Sequence, residues 1–271
     1  MAIEFDGKKI RDGILADLKT KFAVLSSKPT LAVIWIGDDK VSARYIEQKR
    51  RAAELLGVHF DIFKFSDEVA ASVVAEKIKE LNESTEITGI MIQLPIPKNL
   101  DQQELITTIL SEKDVDALRF CSEITCTFRP PVILAIMEAL KASGIDHRGK
   151  KVAIIGKGFL VGSPLSRHLQ GDTDLRVADD QTPNLSTITI DADIVISATG
   201  HAGLIRPDMI KNGAVLIDAG TAELGGKLVG DIDPRCYKKS AFYTPVPGGI
   251  GPMTVAVLFK NLFSAAKRKE K

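Results

Sequence analysis

The sequence predicts an α/β fold in two domains, each with helices packed on a parallel sheet. Apolar, strand-like runs alternate with helix-like segments over most of the 271 residues, and this alternation is typical of parallel sheets because a parallel crossover needs a helix. A polar gap at 149–151 separates two such series, and the length suits two domains of ordinary size. We therefore predict a first domain over 1–145 and a second over 146–251. The last helix, within 252–271, is a candidate to pack back on the first domain.

The first series opens with a strand and a helix whose limits are clear in the sequence. Residues 30–36 form a continuous apolar run that ends at Gly37, which indicates a buried strand followed by a turn. Residues 41–56 favour a helix that stops at Gly57, because glycine readily adopts the left-handed conformation just after a helix. The other elements of this domain are predicted from periodicity: strands over 58–65 and 88–93, and helices over 68–82, 101–111 and 131–143.

The second domain is predicted to repeat this organisation. A short apolar strand over 152–155 runs directly into a glycine-rich segment, and a helix follows. The remaining elements are predicted to be strands over 175–179, 193–198, 214–218 and 241–244, and a last helix over 252–268. Strands separated by helical segments again predict a parallel sheet.

Composition and charge argue against several classes of protein. Thirty-six Lys and Arg residues oppose 35 Asp and Glu residues, which leaves a net charge of +1 and no bulk charge for binding nucleic acid or a membrane surface. No apolar run approaches the roughly 20 residues that span a bilayer, and the N-terminal segment is charged rather than apolar. Three cysteines are too few for a disulfide scaffold, and the sequence has no HExxH, GxSxG or GxxxxGK(S/T) motif. We therefore predict a cytoplasmic protein without a metal site.

A glycine-rich loop after the strand at 152–155 indicates a dinucleotide site. Gly156, Gly158 and Gly162 are spaced G-x-G-x-x-x-G. Glycines permit a tight turn into a helix and let backbone N–H groups approach a pyrophosphate at the helix N-terminus. The spacing is one residue longer than the usual GxGxxG, and the alternative is a glycine-rich turn that binds nothing. The strand before the loop and the helix after it favour the site.

The residues alone leave the choice of cofactor open. Asp179 follows the next predicted strand, where a carboxylate can bind the adenine ribose 2′-hydroxyl of NAD and repels the 2′-phosphate of NADP. Lys157, inside the glycine loop, and Arg176 could instead offset a phosphate charge. Asp179 and its neighbour Asp180 could also be no more than a solvated turn. On balance these residues slightly favour NAD, and Thr221, which follows the strand at 214–218, is predicted to contact the same cofactor.

Three polar residues of the helix at 41–56 form a candidate site in the first domain. Tyr45 and Lys49 are four residues apart and share a face of the helix, and Ser42 lies one turn earlier. An aromatic ring beside an ammonium can stack on a flat heterocycle and place a proton donor at its edge. The alternative is a half-buried tyrosine beside an ordinary surface lysine.

Further polar residues are predicted to join this group. Gln93 ends the strand at 88–93, at the carboxyl edge where α/β sheets form their sites. Asp116 lies in a loop where its carboxylate could accept N–H groups of a polar heterocycle. Near the C-terminus, Pro247, Gly248 and Gly249 specify a rigid loop with close backbone approach, which favours a loop that lines a ligand.

Taken together, these segments resemble the bifunctional methylenetetrahydrofolate dehydrogenase/methenyltetrahydrofolate cyclohydrolase family, of the FolD type. The similar segments run in the family's order over nearly the whole chain: LAVIWIGDDKVSARYIEQK, QLPIP, KDVD, GKGFLVGSP and TPVPGGIGPMT. The resemblance implies an N-terminal folate-binding α/β domain, a C-terminal Rossmann-like parallel sheet with a cleft between them, and a homodimer. It also implies oxidation of 5,10-methylenetetrahydrofolate by a nicotinamide dinucleotide and hydrolysis of the methenyl product to 10-formyltetrahydrofolate.

The resemblance also implies roles for individual residues. Tyr45 would stack on the substrate rings, and Lys49 would be the main acid/base residue of the hydrolytic step. Gln93 would hydrogen-bond and tune Lys49, while Asp116 would hold the pterin edge. The residues implied to contact the folate substrate besides these are Ser42, Pro247, Gly248 and Gly249.

The chain departs from the family pattern at the cofactor loop and beside Asp116. The family commonly reads G-R-S where this chain has Gly156-Lys157-Gly158, and Cys-His-Ser where it has Ala178-Asp179-Asp180. Both changes remove partners expected for a 2′-phosphate and therefore favour NAD. The resemblance nevertheless implies NADP, so we expect NADP as the family's cofactor and keep NAD as the alternative. The family's V-D-G reads Val115-Asp116-Ala117 here, and its P-C-T-P-x-G segment reads PPVILA, which could reshape the folate pocket.

Two other functions stay open from the sequence. One is a monofunctional dehydrogenase acting on a modified pterin or another small substrate. The other is a dinucleotide-binding module without catalytic activity. In each case we expect a small-molecule ligand and no nucleic-acid or membrane partner.

Overall fold

The structure, a computed structural model, describes residues 2–122 and 125–270. In chain order its helices and strands are β1 (Ile3–Glu4), α1 (Gly7–Ala23), β2 (Thr30–Ile36), α2 (Lys40–Leu56), β3 (His59–Phe65), α3 (Ala71–Glu83), β4 (Ile87–Ile92), α4 (Gln102–Thr108), α5 (Leu118–Cys121), α6 (Pro131–Ala142), β5 (Lys151–Ile155), α7 (Gly162–Leu169), β6 (Asp174–Ala178), α8 (Ser186–Thr189), β7 (Ile194–Ser197), β8 (Val215–Asp218), β9 (Ala222–Leu224), β10 (Lys227–Val229), β11 (Phe242–Tyr243) and α9 (Ile250–Lys269). This alternation confirms the predicted α/β fold.

Contacts divide the chain into two compact units, each with its own parallel sheet. The three-stranded unit comprises Asp12–Pro131 and Val255–Lys271, and the six-stranded unit comprises Met1–Arg11 and Val132–Thr254. These limits differ from the boundaries predicted near residues 145 and 251. The difference arises because the chain changes unit within α1, at the start of α6 and within α9, so no polar linker marks these points in the sequence.

The three-stranded unit is built around β2. This strand pairs in parallel with β3 on one side and β4 on the other. Both β2 and β4 are almost entirely buried, which explains their continuous apolar sequences. Phe259 and Leu262 of α9 belong to the same core cluster as Leu31 of β2 and Met91 of β4. The C-terminal helix is therefore part of this unit's core.

The six-stranded unit has the strand order β1-β11-β8-β7-β5-β6, with every neighbouring pair parallel. The chain leaves β5 toward β6 on one side and returns to β7 on the other. In open α/β sheets, ligands bind at the carboxyl ends of the strands where the order reverses in this way. The antiparallel hairpin of β9 and β10 follows β8, and the glycine loop follows β5.

Candidate active site

Lys49 is held by α2 next to the carboxyl end of β4. The helix begins after Asp39, whose Oδ2 accepts a hydrogen bond from the Ser42 N–H (2.6 Å), and it ends at Gly57 in the left-handed conformation. These two caps fix the register of the helix. Three turns into α2, the Lys49 Nζ donates to Gln93 Oε1 at 2.9 Å. The structure therefore joins two residues that the sequence separates by 44 positions.

Gln93 is buried and oriented by the backbone around it. Its side chain is 6% exposed, and its backbone N–H donates to the Ile34 carbonyl (2.9 Å) in continuation of the sheet. Its Nε2 donates to the Leu94 carbonyl (2.7 Å). Because that bond engages the NH2 group, the amide oxygen is left to face Lys49. A cis peptide bond joins Leu94 to Pro95 directly after it.

The charge of the Asp116 carboxylate acts on the pKa of Lys49. Burial lowers the pKa of the Lys49 ammonium, and the Asp116 carboxylate partly opposes this shift. Burial likewise raises the pKa of Asp116, and the Lys49 charge partly opposes it. The environment thus pushes both groups toward their neutral forms, which is typical of groups that exchange protons.

The loop that carries Asp116 is held at several points. Asp114 is fully buried, and its carboxylate accepts the N–H groups of Leu118 (3.2 Å) and Arg119 (2.8 Å) at the start of α5. Burial, with a contribution from the Asp116 charge, raises the pKa of Asp114 to about 6. Ala117 has a φ of 55°, a left-handed conformation that costs an alanine about 1–2 kcal/mol. The chain thus keeps a strained backbone directly after Asp116.

Tyr45 and Ser42 lie on the same helix but in different environments. Tyr45 is 42% exposed, whereas Ser42 is 2% exposed. The Ser42 hydroxyl points to the Leu94 carbonyl at 3.5 Å, beside Gln93. The phenol ring is therefore open to a ligand, and Ser42 packs against the chain segment that positions Gln93.

The glycine loop has the geometry needed for close approach of a dinucleotide. Gly156 has a φ of 97°, and a Cβ there would lie 2.7 Å from the Ala198 carbonyl oxygen. A Cβ on Gly162 would lie 1.8 Å from the Gly156 oxygen, so the turn into α7 requires glycine at both ends. Gly158, by contrast, has open space around its Cα among the described residues. Val161 precedes α7, and its apolar side chain cannot cap the N–H groups of that helix.

The charged residues near this loop differ in their exposure and in their hydrogen-bond partners. Lys157 is exposed, as is Asp179, which directly follows β6. The Asp179 Oδ1 accepts the Gln181 N–H (3.1 Å) and the Thr182 hydroxyl (3.2 Å), so this carboxylate shapes the turn after β6. Arg176 donates to Asp191 Oδ1 at 3.2 Å and is engaged there.

The remaining predicted ligand residues lie in the six-stranded unit. Pro247 follows a cis peptide bond, and Gly248 has a φ of 117°. A Cβ on Gly7 would lie 1.9 Å from the Gly249 oxygen, so the start of α1 packs directly on this loop. Thr221 is exposed and begins the segment that leads into the hairpin. These residues share a unit with the glycine loop, whereas Ser42, Tyr45, Lys49, Gln93 and Asp116 share the other.

A pair of buried carboxylates at the carboxyl edge of the six-stranded sheet was not predicted. Asp218 ends β8 and accepts the N–H groups of Gly220, Asp231 and Ile232. Asp231 Oδ2 accepts from the Ser197 hydroxyl and the Thr199 N–H and hydroxyl, whereas its Oδ1 is buried without a partner among the described residues. Burial is the main reason that the pKa of Asp218 rises to about 7. The signal available in the sequence was the acidic residue directly after an apolar strand.

Residues 2–122 and 125–270 contain neither a candidate metal site nor a candidate membrane-spanning helix. Within those residues, no group of three or more His, Cys, Asp or Glu side chains could hold a metal ion. Within the same residues, no helix has the length and apolar character needed to cross a membrane.

Two family models match the chain and together cover most of it. Residues 5–116 match the catalytic domain of tetrahydrofolate dehydrogenase/cyclohydrolase, and residues 130–270 match the NAD(P)-binding domain of the same family. The first range contains Tyr45, Lys49, Gln93 and Asp116, and the second contains the glycine loop.

Similar proteins extend the match to full length. The bifunctional protein FolD of Aquifex aeolicus is 41% identical over 99% of this chain and 97% of its own. The crystal structure of the bifunctional enzyme FolD from Campylobacter jejuni aligns with a TM-score of 0.94 at 35% identity, over 99% of both chains. The Trypanosoma brucei methylenetetrahydrofolate dehydrogenase-cyclohydrolase, solved with NADP and an inhibitor, aligns with a TM-score of 0.92 at 32% identity, over 100% of this chain and 99% of that chain.

Proposed function

This chain belongs to the tetrahydrofolate dehydrogenase/cyclohydrolase family, and from that premise we propose how its residues carry out the two reactions. The enzyme oxidises 5,10-methylenetetrahydrofolate to the 5,10-methenyl cation by hydride transfer to NADP. It then hydrolyses the cation to 10-formyltetrahydrofolate. Both family domains match this chain, so neither a monofunctional dehydrogenase nor a non-catalytic module is favoured.

We assign the proton transfers of the hydrolytic step to Lys49. Water adds to the methenyl carbon and loses one proton. The remaining hydroxyl proton is then lost as the carbonyl forms, the bond from that carbon to N5 breaks, and N5 gains a proton, so one proton is released overall. A primary amine suits these transfers when its pKa lies near the working pH, and burial lowers the pKa of Lys49 in that direction. The hydrogen bond to Gln93 Oε1 would hold the amine in place during these transfers. The Lys49–Gln93 contact is the observation that carries this assignment.

The roles of Tyr45 and Asp116 follow from their placement. The exposed Tyr45 ring would stack on the flat rings of the substrate, and Ser42 would support the segment after Gln93. The Asp116 carboxylate would accept N–H groups of the pterin edge while keeping a negative charge near Lys49. That charge raises the pKa of Lys49 against the effect of burial, so Asp116 would set the working pH of the amine as well as the orientation of the substrate.

The residues of the glycine loop fit a dinucleotide. Gly156 and Gly162 make the tight turn from β5 to α7, so the backbone N–H groups at the start of α7 can bind a pyrophosphate. Gly158 leaves space at its Cα, Lys157 offers a positive charge, and Thr221 would contact the cofactor from the segment after β8. When bound, NADP accepts the hydride. The protein's own contribution to this step is alignment of donor and acceptor, and the resemblance assigns contacts with folate to Pro247, Gly248 and Gly249.

Asp179 makes this chain unusual for an NADP enzyme. Its exposed carboxylate after β6 would repel a 2′-phosphate, and Arg176 is engaged with Asp191. Lys157 would supply the compensating charge. NADP is therefore proposed as the main cofactor. This enzyme would use NAD more readily than an enzyme that lacks the Asp179 carboxylate.

The family resemblance also supports a homodimer and a cytoplasmic location as proposals. Light scattering of the purified protein at several concentrations tests the first. Fractionation of cells expressing the protein tests the second.

A spectrophotometric assay tests the function directly. Methylenetetrahydrofolate is supplied with NADP or NAD in parallel, and formation of the reduced dinucleotide is followed together with loss of the methenyl absorbance. We expect both signals with NADP. Dinucleotide reduction without methenyl hydrolysis would contradict the hydrolytic assignment, and no reduction with either dinucleotide would contradict the function as a whole.

A further inference from the structure

Asn261 is a buried amide in a part of the chain far from the candidate active site in sequence. It lies on α9, is 6% exposed, and sits among the apolar residues of the core, next to Leu262. Both hydrogens of its amide are used: Nδ2 donates to the Val115 carbonyl at 2.8 Å and to the Arg129 carbonyl at 2.9 Å. A buried polar side chain is stable only when paired in this way.

The Val115 carbonyl belongs to the peptide unit that leads into Asp116. The backbone before Asp116 is thus held by Asn261, and the backbone after it is held by Ala117 in its left-handed conformation. The side chain of Val115 is fixed as well, because a Cβ on Gly89 of β4 would lie 2.7 Å from a Val115 methyl and 2.8 Å from a Leu262 methyl. Little freedom remains in the backbone that carries the Asp116 carboxylate.

We propose that Asn261 is a positioning residue for catalysis, holding the Asp116 carboxylate beside Lys49 through the Val115 carbonyl. The inference rests on the roles proposed above for Lys49 and Asp116. Without the amide, the peptide unit before Asp116 loses its donor, the loop relaxes, and the carboxylate moves away from the amine. The Lys49 pKa then falls, because the charge that opposes the effect of burial is weakened. If Asn261 only anchored α9 to the loops, its loss would leave the pKa of Lys49 unchanged.

The test is a double-mutant cycle of Asn261→Ala and Asp116→Asn in the full-length enzyme. We expect Asn261→Ala to lower kcat/KM for methylenetetrahydrofolate about tenfold, since small displacements of positioned groups have effects of this size. We also expect the limb of the hydrolytic pH profile that reports Lys49 to move to lower pH. In the Asp116→Asn background the same change should have little further effect on either quantity, because the carboxylate it positions is gone.

Further measurements separate positioning from loss of fold. Asn261→Ser keeps one donor and should give a smaller effect of the same kind, and Ser264→Ala, on the exposed face of α9, should leave activity unchanged. The dissociation constant of NADP and the thermal unfolding midpoint are measured for every variant. We expect the dissociation constant to stay within about twofold of the wild-type value. Equal effects of Asn261→Ala with and without the Asp116 carboxylate, or an unmoved pH limb in a folded Asn261→Ala or Asn261→Ser, would overturn the proposal.

The cycle also distinguishes failure of this inference from failure of the proposed function. If Asp116→Asn alone changes neither kcat/KM nor the pH profile, the role of Asp116 is wrong and the positioning role of Asn261 is wrong with it. If Asp116→Asn acts while Asn261→Ala does not, only the inference about Asn261 is wrong.

Discussion

The two parallel sheets place their candidate sites at equivalent positions and equip them in opposite ways. At the carboxyl end of β4, the site consists of side chains: Lys49 and Gln93 are hydrogen-bonded, and burial shifts the pKa values of Lys49 and Asp116. At the carboxyl end of β5, the site consists of backbone, with Gly156 and Gly162 packed so closely that neither tolerates a Cβ.

This difference suits the two tasks proposed for these sites, proton transfer and dinucleotide binding. Proton transfer needs titratable groups whose pKa values are set by burial and by neighbouring charges. Binding of a pyrophosphate needs exposed N–H groups and close approach, which side chains would obstruct. A parallel sheet therefore supplies the position of a site, and the residues after its strands decide which chemistry occurs there.

The largest effect is expected at Lys49. Replacing it with methionine removes the amine but keeps an apolar chain of similar length, so we expect hydrolysis of the methenyl substrate to fall about 10²–10⁴-fold. The dissociation constant of NADP, measured by fluorescence titration, should be unchanged because the glycine loop is untouched. Lys40→Met, at the exposed start of the same helix, is the matched control and should retain hydrolysis. A variant at Lys49 that hydrolyses at the wild-type rate would contradict the division of tasks between the two sheets.

In the other sheet, the comparison predicts sensitivity to a single methyl group. The Cβ of Gly162→Ala would overlap the Gly156 oxygen, and relief of such a clash typically costs about 3 kcal/mol in the free energy of unfolding. We also expect NADP to bind more weakly by about tenfold or more.

Gly158→Ala is the control for this variant, since its Cβ would enter open space. Urea denaturation should show almost no loss of stability for it. Equal destabilisation by the two substitutions would mean that close packing at Gly162 does not define this loop.

A smaller effect is expected at the end of β6. Asp179→Ser removes a charge that repels a 2′-phosphate while keeping a side chain that can accept the Gln181 N–H. We expect the ratio of kcat/KM with NADP to that with NAD to rise about tenfold, which corresponds to about 1.4 kcal/mol. The neighbouring variant Asp180→Ser tests whether removal of any carboxylate near this turn raises the ratio equally. A ratio that does not rise would show that Asp179 only shapes the turn.

The smallest effect concerns Asp218, a titratable group of the six-stranded sheet without a proposed catalytic role. Its pKa is about 7 in the folded state and about 3.9 in an unfolded chain. The folded protein therefore holds a proton that the unfolded chain releases, and the stabilisation is present at low pH and lost as the pH rises through about 7. We expect the free energy of unfolding to fall by about 1 kcal/mol between pH 6 and pH 8 from this group.

Urea denaturation at both pH values checks this prediction. Asp218→Asn should remove this part of the pH dependence, and Asp172→Asn, an exposed carboxylate, should not. An unchanged pH dependence in Asp218→Asn would assign the effect to another group.

The sequence predicted the buried strands, the end of α2 and the position of Gln93. β2 and β4 are continuous apolar runs, and Gly57 ends α2 with its N–H donating to the Ala53 and Glu54 carbonyls, as expected from local preferences. The position of Gln93 could be expected because it follows β4 at the carboxyl edge, where α/β sheets form their sites.

What the sequence could not show depends on contacts between distant segments. Asn261 meets Val115 across 146 positions, and no periodicity in either segment signals this pairing. The hairpin of β9 and β10 and the two-residue strand β1 are too short to produce a pattern, and α1 carries a glycine and many charges within its length. The conformation of Ala117 was also hidden, because alanine gives no sign of a left-handed residue.

The pairing of β1 with β11 has a consequence for biosynthesis. Ile3 N–H donates to the Ala241 carbonyl, and Phe5 N–H donates to the Tyr243 carbonyl. Residues 3–5 therefore cannot complete their sheet until residues 241–243 have also left the ribosome. A nascent or truncated chain that ends before residue 241 leaves the outer edge of β8 without a neighbouring strand, and an uncovered edge of this kind readily pairs with other chains.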